Sequence, residues 1–399
     1  MTPRTILEIH ALQNVPPSNI NRDDTGSPKS AVYGGVKRAR VSSQAWKRAT
    51  RKAFDGLLDP GELGVRTKQV VELVAKRITA LDSTLDGDTA LQLAADTLKA
   101  AGLKVDVPKR KADQAKKKGE PEPAPETAYL LFLSTRQIDG LAALAVEGSS
   151  DITAFFKDKA NKDLAKKTAD TRHSVDVALF GRMVADSTDL NVDAAAQVAH
   201  AISVHRAETE TDYFTAVDDE NEEDETGAGM IGTVDFNSST LYRYAAVDVD
   251  LLERNLGQGL KDDEPTTTPV RRAVEAFTHS FISSLPSGKI NTFGNHTLPD
   301  AVIVTLRTSR PISYVSAFEK AVVAGEEAGG YMEQACQRLA EYVPQIEKAY
   351  SDEETTQRWV LAVGPAAKPV SVLGTQTERV EELVAAVGQV VAERLEQRA

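Results

Sequence analysis

Lys29, Lys37, Arg38, Arg40, Lys47, Arg48 and Arg51 crowd the stretch NINRDDTGSPKSAVYGGVKRARVSSQAWKRATRK, residues 19–52. Cations at this density, beside a Gly34–Gly35 turn that lets backbone come close, are what phosphate binding uses. Ser42 and Gln44 add neutral donors at a predicted helix start, where the helix dipole favours an anion. Over residues 1–52, ten Lys and Arg face only Glu8, Asp23 and Asp24, a balance of +7 in a chain whose formal net charge is −12. A solvated basic face is the other reading of the same composition. The conjunction of glycine turn, polar helix start and cationic stripe favours an anion site. The stretch is neither a GxxxxGK[ST] loop nor a GxGxxG fingerprint after a strand.

Catalytic constellations are thin. His10, His173, His200, His205, His279 and His296 show no HExxH or other tight metal spacing, and no GxSxG occurs. The single cysteine, Cys336, excludes an internal disulfide framework and a multi-cysteine zinc site. It lies in a helical pattern that suits a buried structural thiol, and cysteine usage this sparse points to the cytoplasm. Adjacent carboxylates such as Asp23 and Asp24 can bind a hard cation, or they can fix the loop NRDD or meet a neighbouring subunit. No cofactor and no resident metal are expected.

The elements that must position these residues follow from periodicity. Residues 3–13 read as a strand ended by NVPPSN, and a loop is predicted from there to about Arg40. Ser42 or Ser43 then caps a helix running to about Leu58. On it Gln44, Lys47, Arg48 and Arg51 fall at i, i+3, i+4 and i+7, a polar stripe, while Trp46, Ala49, Ala53 and Leu57 form an apolar stripe for docking on a sheet. Helical patterns occupy about 62–103, 127–147 and 151–170, and the basic and Glu-Pro segment 104–126 between them reads as a solvated loop or insertion. Residues 208–225 hold ten acids around Tyr213 and Phe214, the pattern of a long exposed loop. Strands are predicted at SSTLYRYAAVDVDLL, AVIVTLRTS and RWVLAVG, and helices at VRRAVEAFTHSFISSL, about 316–349 and 374–397. The class is α+β, with a helical insertion between about 60 and 190.

The totals agree with a soluble globular chain: 399 residues, 41% hydrophobic and 27% charged. No run of about 18 apolar residues occurs to span a membrane, and the first residues look like a strand, not a signal peptide. Net acidity argues against a surface that coats nucleic acid everywhere. It is compatible with a focused site, because a polyanion feels the potential within roughly 8–10 Å at physiological salt.

The opening stretch closely resembles the N-terminal signature of the CasC family, the backbone (RAMP-type) subunit of type I-E CRISPR Cascade surveillance complexes. SVDVALFGRMVAD at 174–186, HRAETETDYFTAVDDENEE at 205–223 and GTVDFNSSTLYRYAAVDVDLLERNLG at 232–257 fit the same family in the same order. The resemblance implies an RRM-like (ferredoxin-like) palm from residues 1–60 and 191–399. A helical fingers insertion would occupy 61–190, and a long thumb loop about 205–235. It implies a non-catalytic CRISPR RNA-binding scaffold that oligomerises along the guide and presents it for pairing with target DNA in antiviral defence. Base pairing then reads sequence while the protein holds the backbone. Partners would be CRISPR RNA, target DNA, copies of the chain in a helical filament and other Cascade subunits.

Carried over onto this sequence, the RNA-binding set is Lys29, Ser42, Gln44, Lys47, Arg51, Met183, Tyr213 and Phe214. Tyr213 stands where relatives commonly have Trp; it keeps a stacking face. A lone Met183 would read as a core methionine; its flanking block makes it a nucleotide contact. A lysine-rich finger helix that holds duplex target DNA in the family corresponds loosely to Lys157, Lys159, Lys162, Lys166 and Lys167, for which a solvated helix face is the alternative. The basic run 104–118 is a second candidate for DNA contact, and the acids 218–225 are expected to face away from RNA. Backbone subunits of type III relatives cut RNA with an aspartate after the first strand, so a metal-dependent ribonuclease using Asp23 is the runner-up function. A general RRM-type RNA binder lacks its usual [KR]-G-[FY]-[GA]-F-V-x-[FY] strand.

Overall fold

The computed structural model describes residues 4–171, 173–184, 190–216, 230–257, 264–265, 267–323, 330–351 and 356–398. The protein is a mixed α+β structure that divides into two compact units. One comprises Met1–Phe54, Gln197–Asp248 and Val274–Ala399; the other comprises Asp55–Ala196 and Val249–Ala273.

The first unit is built on strand Ile6–Ser18 and the long strand Met230–Asp248, antiparallel from Ile6 opposite Asp248 to Val15 opposite Ser239. Ala301–Arg307 flanks the first strand on its other side, followed by Gln357–Ala362 and, in parallel, Thr375–Thr377. Beyond the long strand lie Ala201–Ser203, Val36–Val41 and the edge strand Ser30–Tyr33. Every residue from Ile6 to Gln13 is buried, because both sheet faces are covered. On one face Leu12, Tyr242 and Ile303 pack against Leu339 and Val343 of helix Tyr331–Tyr350. On the other, Val15 and Leu241 pack against Trp46.

A closed face forces its polar residues to satisfy one another. Arg307 donates to Glu8 Oε2 from Nε and Nη2 at 2.9 and 2.7 Å. It also donates to both Glu347 oxygens, at 2.8 and 3.1 Å. The Tyr314 hydroxyl donates to Glu347 Oε1 at 2.6 Å, and its ring stacks on His10 at 4.0 Å. Burial lowers the His10 pKa, so a neutral imidazole is favoured inside the sheet.

Local expectations change at three places in the first unit's sequence, before and after the long strand. The predicted loop before Arg40 contains a two-stranded hairpin, with Tyr33 paired to Val36 across Gly34 and Gly35 at φ 59° and 77°. β-branched and aromatic residues around a Gly-Gly pair are a hairpin signal, since both turn positions need φ above zero. The first helix spans Ser43–Ala53 and not as far as Leu58, so Leu57 lies beyond it and is exposed. The long C-terminal helix begins at Tyr331, not 316; Val315–Phe318 is a short 3₁₀ turn, and residues 324–329 fall outside the described set. Cys336 is buried on that helix, and burial pushes its thiol pKa up to about 12.

In the second unit, helices Val70–Leu81, Gly87–Ala100 and Thr135–Glu147 share a core through Val74, Ile78, Leu93, Leu98 and Leu141. The basic run predicted as a loop forms a helix, Lys109–Lys118, stopped by Gly119 at φ 68°. Lys, Arg, Gln and Ala are good helix formers, and Ala115 anchors its inner face. Among the described residues no helix is long and apolar enough to cross a membrane.

Candidate nucleic-acid interface

The helix Ser43–Ala53 is oriented by what it buries. Trp46, Thr50 and Phe54 lie at i, i+4 and i+8 and face inward. The Arg243 guanidinium sits 3.9 Å from the Trp46 ring centroid on the sheet side. It is held by Gln13 Oε1 at 2.6 Å and by the Phe281 and Ile282 carbonyls. Burial pulls the Arg243 pKa down to about 9. With the inner face fixed, the polar stripe turns outward: Gln44 and Arg48 are exposed, Lys47 and Arg51 half-buried. Burial lowers the Lys47 pKa, and among the described residues no carboxylate pairs with it.

Ser42 and Lys29 meet at Asn21. Ser42 N donates to Asn21 Oδ1 at 2.8 Å, and Lys29 N donates to the Asn21 carbonyl at 3.0 Å. The Ser42 hydroxyl accepts from Ala45 N at 3.3 Å and is the helix cap, with the residue only 5% exposed. Lys29, Gln44, Lys47 and Arg51 are therefore the members of the set that reach the surface here.

Arg38 is not part of that surface. It is fully buried and donates to the carbonyls of Tyr33, Ser203, Phe318 and Glu319. Nor does the glycine turn serve a phosphate: a Cβ on Gly34 would stand 1.6 Å from the Glu319 carbonyl oxygen. The close backbone approach expected at this glycine is made to the protein itself.

Asp23 staples its loop. Its Oδ1 accepts from Thr25 N at 3.0 Å, Thr25 Oγ1 at 2.7 Å and Ser27 N at 3.0 Å. The bond from the Thr25 side chain leads the effects that lower its pKa. Ser27 Oγ in turn donates to Asp235 at 2.6 Å, tying this loop to the long strand.

The segment expected as a thumb loop is, over its described residues, a β-ribbon. Glu210–Ala216 pairs with the start of the long strand, Tyr213 opposite Thr233 and Phe214 opposite Gly232. Alternate residues face opposite sides of a ribbon. Phe214 lies over Gly232, where an added Cβ would meet its ring at 2.5 Å. Tyr213, on the other side, is 61% exposed. The acids 218–225 lie outside the described residues.

Met183 belongs to the second unit and is 83% exposed, so it is not the core methionine its residue type alone suggests. Arg182 beside it is buried, bound to Leu190 O at 2.7 Å and to Asp170 at 2.9 Å. Lys159, Lys162, Lys166 and Lys167 ride on helix Lys159–Ala169, whose Ala165 and Ala169 face inward. These lysines and Lys157, just before the helix, are all exposed. Asn21, read from sequence with its NRDD neighbours as a residue that fixes the loop, is the joint between Lys29 and Ser42; sequence reasoning missed Arg243 as the floor of the site. Nothing in LYRYAAVD marks Arg243 as buried.

Three comparisons bear on this geometry. A family model described as CT1975-like protein matches residues 7–386. A chain of a solved structure titled "CRISPR RNA-guided surveillance complex, pre-nicking" is similar at TM-score 0.80 and 35% identity, covering 97% of this chain and 100% of that one. A chain from a "CRISPR RNA-guided surveillance complex" is similar at TM-score 0.70 and 32% identity, covering 96% and 99%. No curated protein sequence matches.

Proposed function

The chain belongs to the CT1975-like family of Cascade-type CRISPR proteins, and from that premise we propose that it is a non-catalytic scaffold that holds CRISPR RNA by its phosphates. Its partners are the other subunits of a surveillance complex, and further copies of the chain stack along the same RNA. The observation that carries the RNA reading is Lys47: half-buried, lowered in pKa by that burial, and without a carboxylate partner among the described residues. Burying a cation without a counter-charge is costly, and an arriving phosphate supplies the missing charge. Gln44, Arg51 and Lys29 extend the grip, with Ser42 fixing the helix start. Tyr213 and Met183 offer exposed surfaces for stacking and packing against bases, and Phe214 completes the ribbon.

The sheet supports an RRM-type palm. Ala301–Arg307, Ile6–Ser18, Met230–Asp248 and Ala201–Ser203 lie side by side in that order. Ser43–Ala53 and Thr267–Ser283 fall in the connections, the pattern of a split βαβ fold. The second unit is then the fingers, whose exposed Lys157, Lys159, Lys162, Lys166 and Lys167 face target DNA, with Lys109–Lys118 as a second basic helix. The ribbon is the thumb.

The test is binding of the full chain to a guide-length single-stranded RNA across a salt series, with magnesium, following complex size and RNA integrity together. Lys47→Ala combined with Arg51→Ala should weaken binding by about 30–100-fold near physiological salt. It should also flatten the dependence of log K on log salt by roughly 1.4, two phosphate contacts on single-stranded RNA. Intact RNA in large salt-sensitive complexes is the expected result. Magnesium-dependent shortening of the RNA, abolished by Asp23→Ala, would replace the scaffold with a ribonuclease.

A further inference from the structure

Three basic side chains from three separate segments converge beside the helix described above. Arg40, on strand Val36–Val41, places Nη1 3.1 Å from His200 Nδ1. His200 immediately precedes Ala201–Ser203, the strand that pairs with Arg40 through Ile202. Lys29 is held alongside by backbone, its carbonyl accepting from Arg40 N at 2.9 Å. Lys29 and Arg40 also line a recess whose other polar residues, Asn21, Asn237 and Ser239, are neutral. Among the described residues none of the three basic groups forms an ion pair with a carboxylate.

Like charges brought together without a counter-charge raise the energy of the empty site, and that energy is recovered when an anion enters. The hydrogen bond supplies the polarity of the exchange. An arginine N–H can only donate, so His200 Nδ1 accepts and the imidazole is neutral in the empty site. We propose that Arg40, His200 and Lys29 bind one phosphate of the RNA backbone, and that His200 takes up a proton from solvent as the phosphate enters. The phosphate oxygen replaces His200 Nδ1 as acceptor for Arg40, and the protonated ring then donates to the same phosphate. This assignment rests on the reading of the neighbouring helix as an RNA grip and adds Arg40 and His200 to it.

His200 is set low in the empty protein, by partial burial first and then by Arg40 and Lys29. These are the charged groups that face it from the adjoining strand and loop. An entering phosphate neutralises the repulsion from Arg40 and Lys29 and pairs directly with the charged ring, so RNA raises the His200 pKa and RNA affinity rises as pH falls.

The experiment is a pH titration of the His200 ring by NMR in histidine-labelled full chain, with and without guide-length RNA, His200→Ala supplying the assignment. The expected result is an upward move of about one pH unit on RNA binding, and wild-type affinity about tenfold tighter at pH 5.5 than at pH 8. His200→Ala should lose that ratio, binding RNA no more tightly at pH 5.5 than at pH 8. Inorganic phosphate at equal phosphate concentration should move the ring far less; an equal response would overturn the assignment to a polymer backbone. If RNA binds and Lys47→Ala with Arg51→Ala weakens it, yet His200 titrates unchanged, this site is wrong and the grip stands. If that double variant leaves RNA affinity untouched, the grip itself fails and this site falls with it.

Discussion

Replacing Arg307 by Met should remove about 3–5 kcal/mol of folding stability, read as a lower urea midpoint at unchanged slope. Arg307 and Glu8 are fully buried, and Glu347 is only 4% exposed. The arginine is the shared cation of both acids. Met fills much of its volume, so the loss comes chiefly from Glu8, left without its arginine, and from Glu347, left with Arg358 at 3.3 Å as its remaining cation, rather than from a cavity. The pH dependence separates those causes. Burial alone would raise the Glu347 carboxyl, but bonds from Arg307, Ser351 and Tyr314 outweigh it and hold the carboxyl down at about 2. A depressed carboxyl contributes stability above its ordinary value of 4.5 and loses it as pH falls from there toward 2. In Arg307→Met the Glu347 carboxyl loses the largest of the bonds that hold it down, so burial raises it and the variant gains from its protonation. The gap between variant and wild type should therefore narrow between pH 7 and pH 4. A gap constant over that range would assign the loss to packing.

Two adjacent glycines should respond very differently to alanine. Gly34→Ala is expected to cost about 3 kcal/mol or more, Gly35→Ala about 1 kcal/mol. Both have positive φ, so both variants carry the left-handed strain. At Gly35 the added methyl meets nothing within 4 Å. At Gly34 it meets the Glu319 carbonyl, which is backbone, cannot swing aside and also accepts from Arg38. Chemical denaturation of the two variants side by side checks the difference. Equal losses would mean that the turn, and not its contact with Glu319, sets the cost.

What was legible in the sequence was periodic or local. The polar stripe Gln44, Lys47, Arg48, Arg51 follows from helix geometry alone, and Ser42 as its cap from residue type and place. The strands Ala301–Arg307 and Gln357–Ala362 and the terminal helix are legible as well, because each is a run of uniform period between breakers; the start of the helix at Tyr331 and the turn from strand to helix at Val249 are not. What was hidden depends on the third dimension. Arg38 and Lys37 look alike in VKRARV, yet one strand position turns Arg38 inward to four carbonyls. ILEIHAL alternates as if Glu8 and His10 faced water; helix Tyr331–Tyr350, far along the chain, is what covers them. The turn at Gly34–Gly35 is legible, but the strands it joins are hidden, because Lys29, Lys37, Arg38 and Arg40 give their short runs the composition of a solvated loop. Arg40 and His200 are 160 residues apart, and no local pattern joins them.

The long strand has a mechanical consequence. Its 19 residues span about 60 Å. One end pairs with Glu210–Ala216 in the ribbon, and the other runs beside the first strand through the middle of the sheet. The strand is continuous from Phe236, in the ribbon, to Arg243, under Trp46, and the one register shift beside this stretch lies between Val15 and Ser18, opposite Ser239 and Asn237. A pull on the ribbon along its own axis is carried by the whole antiparallel ladder in shear, every rung loaded together. A pull across it peels the rungs one at a time. The described part of the ribbon is thus stiff lengthwise and compliant sideways, and a force applied to it is carried to the sheet's centre.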